Sequence, residues 1–167
     1  GDPDVSNNEI IILGGFIIAS KIQGNVHLQN MKVRHLSRGG SGVVGGSSFT
    51  MQDVIVEQCD GFGVYASGTS VVGTCTNLEV RQCGQGGVVA FKKASITLIG
   101  AKTTVHDNCM NGNSLSYGLS VDGSSSTIQL VPPLIKETVS INNGGGGNYG
   151  ASHGADNNQI ITTSSSS

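Results

Sequence analysis

Val56-Glu57-Gln58-Cys59 and Val80-Arg81-Gln82-Cys83 are one phrase written twice, 24 residues apart. Val33-Arg34-His35-Leu36 precedes the pair by 23 residues, and Val105-His106-Asp107-Asn108-Cys109 follows it after a step of 26. A fainter copy, Val139-Ser140-Ile141-Asn142-Asn143, ends the series after a longer step of 34. Periods in the twenties belong to stacked supersecondary units, none of which can bury its apolar face alone. Between the phrases lie β-branched runs of three to five residues, bounded by Gly, Ser and Asn. Such runs are too short for helices and read as strands.

Aligning the copies gives columns with distinct chemistry. Val33, Val56, Val80, Val105 and Val139 form one apolar column. Leu36, Cys59, Cys83 and Cys109 form a second, read as a structural core ladder, and Val43, Val64, Val88, Leu119 and Ala151 a third. Side chains alternate faces along a strand, so Arg34, Glu57, Arg81, His106 and Ser140, next to the inward valines, are expected to face solvent. Stacked strands lie about 4.8 Å apart, which makes Arg34, Glu57 and Arg81 a surface ladder of alternating sign. Asn30, Asp53 and Asn77 align at a corner, where short amide and carboxylate side chains support turns. Gly42, Gly63, Gly87, Gly118 and Gly150 mark the turn into the following strand.

Three short strands per repeat with inward Val, Leu and Cys columns resemble the right-handed parallel β-helix of the pectate-lyase-like superfamily. The likeness spans residues 10–158. It implies an all-β chain forming a single right-handed parallel β-helix, a solenoid of about five to six coils. Residues 1–9 are then a lead-in, and residues 159–167 a strand end with a flexible serine tail. The wording Thr104-Val105-His106-Asp107-Asn108 and the glycine-rich stretch over residues 141–150 also resemble uncharacterised β-helix repeat proteins of algae and of large DNA viruses that infect algae.

Composition narrows the function classes. The 167 residues suit one domain, with 9 Lys+Arg against 11 Asp+Glu and only 12% charged residues, about half the usual share. A net charge of −2 gives no footprint for nucleic acid. No apolar run reaches the roughly 18–20 residues that span a bilayer. No basic leader with a cleavage site opens the chain. The four cysteines contain no CxxC pair, and the spacings of the aligned three follow the repeat. A ladder of buried thiols is the leading reading, with one disulfide or a metal site as alternatives. No cofactor is implied: the two GxGxxG matches, over residues 40–45 and 145–150, do not open helices, and no zinc or calcium motif occurs.

Enzymes of the resembled superfamily that act on acidic glycans use clustered carboxylates and a basic group acting at a sugar carbon. Here the acids are scattered, so no catalytic residue is assigned. Arg81 beside His106, flanked by Glu79 and Asp107, is the arrangement to test. Tyr65, Phe91 and Lys92 are the binding candidates: Phe91-Lys92-Lys93 sets an aromatic beside two cations that can grip an anionic sugar, and Tyr65 is the tyrosine expected on an outer sheet face. Threonines 50, 69, 74, 76, 97, 103 and 104 do not form one repeating Thr-x-Thr column, which argues against an ice-binding face.

The resulting expectation is a non-catalytic structural or adhesion module, extracellular or virion-associated, presenting a face to a polysaccharide or glycan. The alternative is a polysaccharide lyase or epimerase working along one parallel sheet. Open strand edges template further pairing. The short polar lead-in therefore suggests that the N-terminal end is covered by sequence outside this chain, by a partner chain or by self-association with another copy. The insertion at Val131-Pro132-Pro133 is expected to bulge out and close the other end.

Overall fold

The structure, a computed structural model, describes residues 9–164. Of the expected lead-in and tail, only Glu9 and residues 159–164 lie inside that range. The regular structure is almost entirely strand, in two sheets. The larger holds β1 (Ile11–Leu13), β3 (Val26–Arg34), β5 (Phe49–Glu57), β7 (Val72–Thr76), β8 (Glu79–Arg81), β10 (Ser95–Ile99), β11 (Thr104–His106), β13 (Thr127–Leu130), β14 (Ser140–Ile141) and β16 (Ile160–Thr162). The smaller holds β2 (Phe16–Ile18), β4 (Val43–Gly45), β6 (Val64–Ser67), β9 (Val88–Phe91), β12 (Tyr117–Asp122) and β15 (Gly147–Ser152). Every pairing in both sheets is parallel. The chain visits the two sheets in turn, and each strand pairs with its counterpart in the next repeat. This architecture is compatible with a solenoid.

The larger sheet curls at a fixed corner. Its strand β5 pairs through its first half with β7 and through its second with β8. The bend falls at Asn30, Asp53 and Asn77, whose φ values are 52°, 52° and 51°. Asn and Asp enter this left-handed region at low cost. Asn77 Nδ2 also donates to Asp53 Oδ1 at 3.3 Å, joining two repeats through the corner as the sequence column predicts.

The core lies between the sheets. Val33, Val56, Val80 and Val105 are fully buried, as are Met51, Cys75, Leu98 and Leu130 in register on the other half of the large sheet. Phe49 is buried among glycines: a Cβ at Gly45 or Gly73 would collide with its ring. Those two positions give an aromatic ring room inside a narrow core. The Val131-Pro132-Pro133 insertion makes a turn followed by the single-turn helix α1 (Lys136–Val139), which buries Val139.

Several sequence columns need correction. Leu36 does not belong to the core ladder; it is 71% exposed. In later repeats Gln58, Gln82, Asp107 and Asn142 adopt φ values of 52° to 55°, and this kink turns the next residue inward. His35 has no such kink, so its own ring enters the corner, with Nδ1 2.8 Å from Ser41 O, and Leu36 is left outside. The inward ladder is therefore His35, Cys59, Cys83, Asn108 and Asn143. Asn108 takes the place assigned to Cys109, which is buried one residue further on.

The fifth repeat also slips. Ser140, not Val139, pairs with Val105, and Ile141 pairs with His106. Ser140 is fully buried and donates its hydroxyl to Asn148 O at 2.5 Å. Tyr149 rather than Ala151 pairs with Leu119, and Gly150 pairs with Ser120 inside a strand. The insertion before β14 changes the spacing, so counting from the previous repeat misplaces these residues. Thr50, Thr74 and Thr97 share one column, continued by Gln129, but the column two residues on reads Gln52, Thr76 and Ile99, so no Thr-x-Thr array repeats. Three threonines stack there because the strand is in strict register across those repeats.

All four cysteines are free thiols and all are buried. Burial pushes Cys75 up to about 12 and Cys109 up to about 11. The Cys59 thiol alongside, together with burial, raises Cys83 as well. The same contact lowers Cys59, whereas the three raised thiols are poor nucleophiles and poor metal ligands.

Candidate functional site

Two polar regions stand out, one on each sheet. The first is built on the second half of the large sheet, where Arg34, Glu57, Arg81 and His106 follow one another in register. Glu57 is not a solvent-facing rung: it is 2% exposed. Arg34 donates to its Oε1 from Nε at 2.7 Å, with Nη2 at 2.6 Å. Arg81 donates to its Oε2 from Nε at 2.8 Å and from Nη2 at 2.6 Å. Lys32 Nζ stands 3.7 Å away. The two guanidiniums fold over the carboxylate from both neighbouring strands, which is why an outward residue is buried. Burial alone would raise the Glu57 pKa; Arg81 and Arg34 outweigh it and hold the carboxyl below the usual range.

The network continues through Glu79, whose Oε1 lies 3.0 Å from Arg81 Nη1 and 2.9 Å from His106 Nε2. His106 Nδ1 lies 2.6 Å from Asp107 Oδ2. Burial pulls the ring's pKa down, but Asp107 and Glu79 more than reverse this and raise it. Two carboxylate partners suit the doubly protonated imidazolium. The sequence thus places Arg81 and His106 correctly as neighbours. The structure occupies both with internal partners: both ring nitrogens of His106 face carboxylates, and Arg81 spends three nitrogens on Glu57 and Glu79.

The second region is a groove of about 240 Å³ on the outer face of the small sheet. Tyr65, Val89 and Ser120 run across its floor in strand register. Phe62 stacks on Tyr65 at a centroid distance of 5.2 Å, and Phe91 meets Tyr65 at 5.8 Å. The three rings form a continuous aromatic surface. Gln85, Asn113 and Asp122 supply the amides and the carboxylate around it. Burial raises the Tyr65 pKa, the Ser67 hydrogen bond opposes this, and Asp122 adds to it, leaving the phenol neutral and able to donate.

One wall comes from an insertion. Val64 pairs with Val88, 24 residues on, but Val88 pairs with Leu119, 31 residues on. The extra residues carry Asn113 and Leu115 to the outer face, where Val89 is only 5% exposed. Asn111 and Asn113 shape the loop, with Asn113 Oδ1 accepting from the Leu115 N–H at 2.9 Å. Tyr65 and Phe91 are brought together as groove residues. Lys92 is not among the lining residues; its ammonium packs on the Phe91 ring at 5.1 Å. Sequence reasoning missed Phe62, Gln85, Asn113 and Asp122. The long step in the fourth repeat was the available signal for the wall.

A wider and shallower depression of about 640 Å³ runs past Leu36, Asp60 and Met110 at the corner where the kinked glutamines turn. No aromatic ring lines it. Among the described residues no group of three or more His, Cys, Asp or Glu could hold a metal ion, and no helix is long and apolar enough to cross a membrane. The chain matches no known protein family, no curated protein and no solved structure.

Proposed function

We propose that the protein is a non-catalytic recognition module, wound as a right-handed parallel β-helix, that binds glycans in the groove of its small sheet. The observation that carries this reading is the row of Phe62, Tyr65 and Phe91 beside Gln85, Asn113 and Asp122. Sugars present apolar C–H faces and polar hydroxyl rims, and a site for them needs both surfaces together. The ion-paired face supports a non-catalytic role, since Arg81 and His106 are committed to internal partners. A structural or adhesion element on an extracellular or virion surface is the setting proposed for such a module. Self-association or a partner chain at the N-terminal end belongs to the same proposal.

The test is a glycan array followed by calorimetry on the purified chain, with Tyr65→Ala and Phe91→Ala as variants. Saturable binding that both variants weaken supports the reading. A screen of acidic polysaccharides for unsaturated product is its counterpart. Turnover abolished in Arg81→Ala or His106→Ala would establish a lyase and overturn it.

A further inference from the structure

We propose that the groove selects an uncharged pyranose, held by its hydroxyls on Asp122 and by its C–H face on the aromatic row, and that it rejects uronic acids. This rests on the groove being a glycan site. Asp122 stands in register with Phe91 at the edge of β12. Both of its protein hydrogen bonds fall on Oδ2, from Ser152 Oγ at 3.0 Å and with His153 Nδ1 at 2.9 Å. Oδ1 has no protein donor among the described residues, and the side chain remains part of the groove lining. An ionised carboxylate only accepts hydrogen bonds, so its natural partners are hydroxyl donors.

No Lys, Arg or His is among the residues that line the groove. The Lys92 ammonium packs on the Phe91 ring without lining the groove, and the exposed His153 pairs with Asp122 through Oδ2. A sugar carboxylate placed on the aromatic row would meet Asp122 with no cation among the lining residues to receive it, and like charges in a partly dry groove repel. Gln85 and Asn113 each offer a donor and an acceptor, which matches hydroxyls of either sense. The volume of about 240 Å³ lies below the range of roughly 300–1,000 Å³ that takes drug-sized ligands. It suits one sugar ring at a chain end or branch rather than a long strand of polymer.

The experiment is isothermal titration of the full chain with methyl glycosides of neutral hexoses and with the matching methyl glycosides of uronic acids. Asp122→Asn, Gln85→Ala and Tyr65→Ala are titrated in parallel. The expected result is that the neutral glycosides bind and the uronates bind at least tenfold more weakly. Asp122→Asn should weaken neutral binding about tenfold and narrow the gap between the two series. Gln85 is not part of the core, so Gln85→Ala tests the same rim if Asp122→Asn unfolds, and a loss of neutral affinity there supports the inference. Uronates binding as tightly as neutral sugars, with binding lost in Tyr65→Ala, would overturn the selectivity and leave the glycan reading standing. If no glycoside binds at all, both fail.

Discussion

The charged face of the large sheet and the groove of the small sheet are both outer surfaces of parallel strands, yet they handle polar groups in opposite ways. On the large sheet, Arg34, Glu57, Arg81, Glu79 and His106 satisfy one another across four repeats. On the small sheet, aromatic rings, amides and one oxygen of Asp122 line a hollow with bonding capacity to spare. A saturated network stabilises a fold and offers little to a ligand. An unsaturated hollow does the reverse. Register explains both: identical stacking gives salt-bridge ladders where alternate charges repeat, and a concave site where one repeat carries an insertion.

The strongest way to break this contrast is Glu57→Gln. Removing the carboxylate leaves Arg34 and Arg81 facing a neutral amide, with an expected loss of about 2–4 kcal/mol in stability. Urea denaturation measures it, while glycan affinity should not change. An unaltered midpoint would show that the network is ornamental. Tyr65→Ala probes the other side: affinity should drop tenfold or more, with about 1 kcal/mol of stability lost with its two ring contacts.

A pH series separates the regions further. The folded His106 ring titrates above its ordinary value of 6.5. The stability that this shift contributes is therefore fully present below pH 6.5 and is lost as pH rises through the raised folded value. Glu57 works in the opposite sense: its contribution is present above the ordinary carboxyl value of 4.5 and is lost as pH falls through the lowered one. Thermal melts of the wild type and of His106→Gln between pH 5 and 9 should differ at the low end and converge at the high end. Parallel curves would remove His106 from the account. The smallest effect expected is from Arg81→Lys, about 0.5–1 kcal/mol, because an ammonium cannot reproduce the paired guanidinium contacts.

Much of the architecture was legible from the repeated phrase around Glu57 and Arg81. The valine column, the corner at Asn30, Asp53 and Asn77, and the burial of the cysteines all follow from strand alternation and turn chemistry. What misled was counting residues from one repeat to the next. Leu36 matched Cys59 in the alignment, but only a left-handed residue turns that position inward, and His35 does not adopt that conformation. Cys109 matched Cys83 by residue type, while Asn108 takes the place in the ladder, with Oδ1 accepting from the Cys83 N–H at 3.1 Å and Nδ2 donating to Val80 O at 3.0 Å. For the site, Tyr65 and Phe91 were visible as aromatics, whereas Phe62 comes from one repeat and Asn113 and Asp122 from another, two steps further along the stack.

The sequence by itself determined that this chain is built of short strands stacked at a period in the twenties, because strand alternation and turn preferences are local rules. Tertiary structure alone decided which outward residues are buried and where a hollow opens. Those outcomes depend on what the neighbouring repeat places alongside: guanidiniums closing over Glu57 on one sheet, and an inserted loop rising beside Tyr65 on the other.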